Sequence, residues 1–339
     1  MKEVDLVKEK RKSWIDICKI IAMFLVIILH TVCNGIKDNQ KDLSLLIYYF
    51  GTFAIPLFFM VNGYLQLNKI KDYKYVLKKI LNIFIVCFIW NIPIVIFKLV
   101  LEGESSNIIS NVFFNYIQKG YFWQFWFLGA LILIYIFLPL IQKLFNETDK
   151  YKFITILLII VCSLVDLFNI INNNFLGNGL IRNRIPQVFR IWTWMTYFFI
   201  GGLVRKNDPL KKVNNKKLVA ITFVALFVTV LYAYNFSNIL YSDLFAENLY
   251  DNIIVIITTF LIFNSFSRLH SSYKLIIDIG ELNMGVYIIH PTIIKIFNYF
   301  NLLYNNYLNI FFAAIIFIIC IIITKIISKI PYLNKIIKI

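Results

Sequence analysis

The sequence predicts an all-α protein, a membrane bundle of about ten transmembrane helices with both termini cytoplasmic. Three observations predict it. Hydrophobic residues make up 60% of the 339 positions and charged ones 15%, with a mean hydropathy of +0.75, more apolar surface than a soluble globule can hide. Ten apolar runs are separated by short polar connections. Lys and Arg collect in alternate connections.

The first run extends from Ser13 to Val32, the second from Leu45 to Leu67, the third from Lys79 to Leu99 and the fourth from Phe122 to Leu144. Six more follow, at Phe153 to Ile171, Val188 to Val204, Leu218 to Asn235, Asn252 to Phe266, Leu275 to Phe297 and Tyr307 to Ile327. An even number of spans returns the chain to its starting side. Sorting the charges tests that count, because cytoplasmic loops hold the excess of Lys and Arg. Of the 34, the two ends and the even-numbered connections hold 25, the odd-numbered connections hold 8, and Lys19 lies within the first run. The net charge of +16 is therefore a signal of topology and of contact with membrane lipid, with no nucleic acid implied.

The basic segment 1–12 reads as a cytoplasmic tail. The run after it is too long for a secretory signal and has no small-residue cleavage site, so it is retained as a helix. The whole of 1–339, this tail included, reads as one membrane domain, with no fused extracytoplasmic domain and a multi-pass location in a bacterial cytoplasmic membrane. Cys18, Cys33, Cys87, Cys162 and Cys320 all fall in apolar runs without CxxC spacing and read as small buried hydrophobes.

Chemistry is expected first in WIDICKIIAMFLVIILH. A Lys in a membrane helix costs about 2.5 to 3.5 kcal/mol at the bilayer centre, so Lys19 needs partners, a function or a route to the headgroups. Eleven residues at about 100° each bring Lys19 and His30 to one face, about 16 Å apart. Asp16, one turn before Lys19, is placed to neutralise it. His290 accompanies Gly280, Gly285 and Pro291, which predict a helix broken around a protein interior or wet cavity. His270 reads as solvated. Arg182, Arg184 and Arg190 stand against the charge rule and are candidates to hold a phosphate or acidic sugar. Trp126, Tyr135 and Pro139 read as packing and interface anchors. No metal site is expected, because neither His30 nor His290 has a carboxylate or third histidine at ligand spacing.

The Lys-x10-His of the first run resembles the signature of the acyltransferase family 3 of membrane proteins. Four further segments match in order: PLFFMVNGYL (56–65), WFLGALILIYIFLPL (126–140), YFFIGGLV (197–204) and LNMGVYIIH (282–290). The basic segment KDYKYVLKKILN (71–82) resembles that family's cytoplasmic Arg-x-x-Arg, with Lys79 and Asn82 at the paired positions. Lys is a point charge where Arg forks around phosphate, and Lys74 and Lys78 stand near enough to compensate. Asn62 and Asn283 replace serines usual in the family and still hydrogen-bond.

The resemblance implies transfer of an acyl group, commonly acetyl from acetyl-CoA, to a hydroxyl of a surface polysaccharide or lipid-linked glycan precursor. Acyl-CoA is then a donor substrate, and no permanently bound cofactor is expected. His30 would be general base or transient acyl carrier, with Asp16 and His290 completing the catalytic set, because a sugar hydroxyl is a weak nucleophile until its proton is removed. Lys19, Lys74, Lys78 and Lys79 would hold the donor phosphates, and Arg182, Arg184 and Arg190 the acceptor. An exporter of a polysaccharide or its intermediate is the alternative, since ten helices with a broken ninth suit transport equally.

Overall fold

A computed structural model describes residues 12–32, 42–67, 71–97, 99–100, 107–269 and 273–337. Cys33, His270 and several loop lysines, Lys69 among them, lie outside the described residues. Among those described there are α-helices and short 3-10 turns and no strands.

In chain order the helices are α1 (Ser13–Thr31), α2 (Ser44–Phe50), α3 (Ala54–Gln66), α4 (Tyr73–Phe97), α5 (Ile108–Tyr116), α6 (Trp126–Ile136) and α7 (Leu138–Asn146). They continue with α8 (Thr148–Asn174), α9 (Ile191–Lys206), α10 (Asn215–Tyr241), α11 (Ile253–Ser267), α12 (Lys274–Tyr299) and α13 (Asn306–Lys329). Among the described residues six apolar segments are long enough to cross a membrane: α1, α2 with α3, α4, α8, α10 and α13. A seventh forms if α6 and α7, bent by 57°, count as one. The bend falls where Pro139 opens the first turn of α7, a position at which a missing N–H costs little.

Each of the ten apolar runs is helical, the second as α2 with α3 and the fourth as α6 with α7, but α9, α11 and α12 fall short as independent spans. The helices α9 and α11 have 16 and 15 residues, and α12 carries Asp278, Glu281 and Lys295. All three pack against other helices, and the charged side chains of α12 stay exposed, Glu281 and Lys295 lining cavities. The expected break in α12 is absent: the helix runs through Gly280, Gly285 and Pro291 without interruption. Between α4 and α6, the connection contains α5, whose N-terminus is capped by Asn107 accepting from the N–H groups of Ile109 and Ser110.

The core is centred on α1, which contacts α2, α3, α11, α12 and α13. The helices α3 and α9 pack backbone to backbone. A Cβ on Gly63 would lie 1.9 Å from the Phe198 carbonyl oxygen, and one on Gly201 2.0 Å from that of Met60. Two glycines thus let the backbones touch, the small-residue mode of membrane helix packing. Around this centre α8, α10 and α13 present rows of exposed apolar side chains, such as Phe153, Ile160 and Leu164, or Phe223 and Phe227. Such belts suit hydrocarbon and would be a liability in water.

Candidate functional site

The polar residues Asp16, Lys19 and His30 of α1 all line internal cavities. Asp16 is buried, and Gly280 of α12 approaches so closely that a Cβ there would lie 2.5 Å from the Asp16 Cβ. Asp16 and Lys19 open into a cavity of about 680 Å³ between α1, α3, α4, α6 and α12. Lys79 of α4 and Arg205 at the end of α9 join them there, with Lys12 and Glu281. Four cations against two carboxylates give the cavity a positive balance.

Its aromatic side chains hold the cations in place. Lys12 Nζ donates to Tyr64 Oη at 2.8 Å, and the Arg205 guanidinium lies 5.1 Å from the same ring's centroid. Lys79 Nζ is 5.4 Å from the Tyr135 ring centroid, and the Tyr135 hydroxyl donates to Asn62 Oδ1 at 2.8 Å. Asn62 therefore acts through a hydrogen bond that orients the ring beneath Lys79. Lys74 and Lys78 are exposed and lie outside this lining.

Three turns along α1 from Lys19, His30 opens into a second cavity of about 420 Å³, while Val26, one turn before it, still lines the first. The imidazole stands edge-on to Trp123, with ring centroids 4.7 Å apart, and stacks on His290 at 5.6 Å. His290 is fully buried, with Nδ1 3.2 Å from the Val286 carbonyl and no partner for Nε2 among the described residues. A carbonyl only accepts, so the neutral ring carries its proton on Nδ1 and keeps a lone pair on Nε2. Tyr287, lining the first cavity, donates to the Gln124 carbonyl at 2.5 Å and lies against His290. A layer of ring side chains between the two cavities thus contains the histidines.

The outer arginines are placed differently from Lys19. Arg182 is 1% exposed: its guanidinium donates to Asp166 Oδ1 at 2.7 Å and to the Asn248 carbonyl, and lies over Tyr241. Burial works against its charge, but the carboxylates of Asp251 and Asp166 outweigh that and raise its pKa above the usual guanidinium value. Arg190, also buried, donates to the carbonyls of Ile185 and Arg182, and Arg184 is exposed and donates to that of Asn178. None of the three lines either cavity.

The described cysteines 18, 87, 162 and 320 are buried and free, and no group of three His, Cys, Asp or Glu is placed to hold a metal ion among the described residues. Several lining residues lay outside the sequence expectations. Arg205 directly follows the YFFIGGLV segment and read only as a topology charge; Trp123, Glu247 and Lys295, which line the second cavity, carried no motif.

A family model described as an acyltransferase domain matches residues 12–328. No curated protein and no solved structure matches the chain.

Proposed function

The chain belongs to the acyltransferase family 3, and from that premise we propose that it moves an acetyl group from acetyl-CoA to a hydroxyl of a surface glycan or lipid-linked glycan precursor. The observation that carries this reading is that α1 opens to a basic cavity at Lys19 and to a second cavity at His30. A nucleotide-bearing thioester needs such a division, with cations for its phosphates and a base some distance away where its acyl end lies.

The donor's phosphates would rest among Lys12, Lys19, Lys79 and Arg205, and its pantetheine arm would reach along α1 toward Tyr287. From the second cavity the acceptor hydroxyl would meet His30. As its oxygen attacks the thioester carbonyl, His30 takes the hydroxyl proton; the C–S bond then breaks, and the departing thiolate receives that proton. Lys and Arg sorting supports ten spans with both ends cytoplasmic, the basic cavity on that side and the bacterial cytoplasmic membrane as the location.

The test is acetyl-CoA itself. It should raise the melting temperature of the detergent-solubilised protein, and His30→Ala should abolish glycan acetylation while leaving the protein in the membrane. An unchanged melting temperature, the outcome expected of an exporter, or unchanged acetylation in the variant overturns the reading.

A further inference from the structure

The second cavity holds a carboxylate that the transfer chemistry does not use. One wall is the 3-10 turn Ala246–Leu249 with Phe245 and Tyr250 beside it, and Glu247 on this turn lines the cavity with His30, Trp123 and Tyr48. Four groups from separate elements fix the turn. Tyr48 of α2 accepts from the Ala246 N–H at 3.1 Å, and Tyr197 of α9 donates to the Tyr250 carbonyl at 2.7 Å. Arg182 donates to the Asn248 carbonyl, and Gln187 Nε2 donates to Glu247 Oε2.

The turn is buried except at Glu247, which is half-buried at the cavity, and a buried arginine and two buried tyrosines hold its backbone from behind. Side chains locked from behind are what a recognition site needs. The composition of the cavity indicates what is recognised. Trp123, Tyr48 and Tyr250 offer ring surface to the C–H faces of a pyranose, and a carboxylate is an acceptor-only group matched to hydroxyl donors.

We propose that Glu247 is the acceptor-recognition residue, its carboxylate accepting a hydrogen bond from a hydroxyl on an uncharged sugar ring, so that a neighbouring hydroxyl is presented to His30. This rests on the acyl-transfer reading. It assigns Glu247 to binding and orientation of the acceptor, with no part in holding the donor.

The test compares Glu247→Ala and Glu247→Gln with the wild type in three measurements: the acetyl-CoA shift in melting temperature, release of acetate from acetyl-CoA to water, and acetyl groups on the surface glycan by mass spectrometry. The first two are expected within about twofold of wild type. Glycan acetylation should fall about tenfold or more in Glu247→Ala, the factor carried by a hydrogen bond to a charged group, and less in Glu247→Gln, which keeps a carbonyl acceptor. Wild-type glycan acetylation in Glu247→Ala overturns the proposal, as does parallel loss of all three signals in both variants. If the wild type shows no acetyl-CoA shift, or His30→Ala still acetylates, the acyl-transfer reading itself has failed and Glu247 falls with it.

Discussion

His30 and His290 come from helices far apart in the chain and lie with their rings 13° from parallel and 5.6 Å between centroids. Two cationic imidazoles so placed would repel, which favours a pair with at most one positive charge. The Val286 carbonyl fixes His290 Nδ1 as the protonated nitrogen of the neutral ring and leaves Nε2 as the free acceptor.

On the acyl-transfer reading, the stacked ring of His290 is a positioning group for its neighbour. Replacing it with alanine should lower acetyl transfer by up to about tenfold, the value of a packed ring pair, and leave the acetyl-CoA shift in melting temperature intact. Replacing it with phenylalanine, which keeps a stacking ring, should recover part of the rate. Equal rates in wild type and His290→Ala, measured with labelled acetyl-CoA, would reduce the residue to packing.

The basic cavity predicts a separable effect on the donor. Lys19→Ala and Arg205→Ala should each weaken acetyl-CoA binding by about tenfold or more, the value of a charge-assisted bond to phosphate, with the larger loss at low ionic strength. Lys74→Ala and Lys78→Ala, whose side chains are exposed outside the lining, should match wild type in the same titration. Equal losses for all four would show that the measurement reports bulk surface charge.

For Arg182 the expected outcome is a loss of stability. Removing one partner of a buried ion pair costs about 3 to 5 kcal/mol, so Arg182→Ala and Asp166→Asn should both lower the melting temperature sharply. Arg184→Ala, changing an exposed side chain, should melt with wild type. A variant Arg182→Ala that melts normally yet loses acetylation would return this arginine to acceptor binding.

The all-helical, membrane-spanning character was legible because apolar runs bounded by charged loops have few alternatives in a membrane, whereas six or seven spans among the described residues, and not ten, are long and apolar enough to cross on their own. Lys19 and His30 were legible as a pair because helical periodicity alone puts them on one face. Other features depend on contacts that local sequence does not encode. Gly280, Gly285 and Pro291 look like a break, but packing by neighbouring helices keeps α12 continuous, and Gly280 gives room to Asp16. Arg182 looked available to substrate because its carboxylate partner lies 16 residues earlier on another element. Glu247 lies in a polar stretch without pattern, and only the fold brings it to the cavity that His30 lines.

The touching backbones at Gly63 and Gly201 bear on how such a bundle could move. With no side chains between them to re-pack, α3 and α9 can neither slide nor tilt without lifting the Phe198 and Met60 carbonyl oxygens off the facing glycines, so this seam behaves as a fixed spine. Breathing that admits a bulky donor must then arise elsewhere. The natural place is α12, where Pro291 has already removed one rung of the helical ladder next to the paired imidazoles.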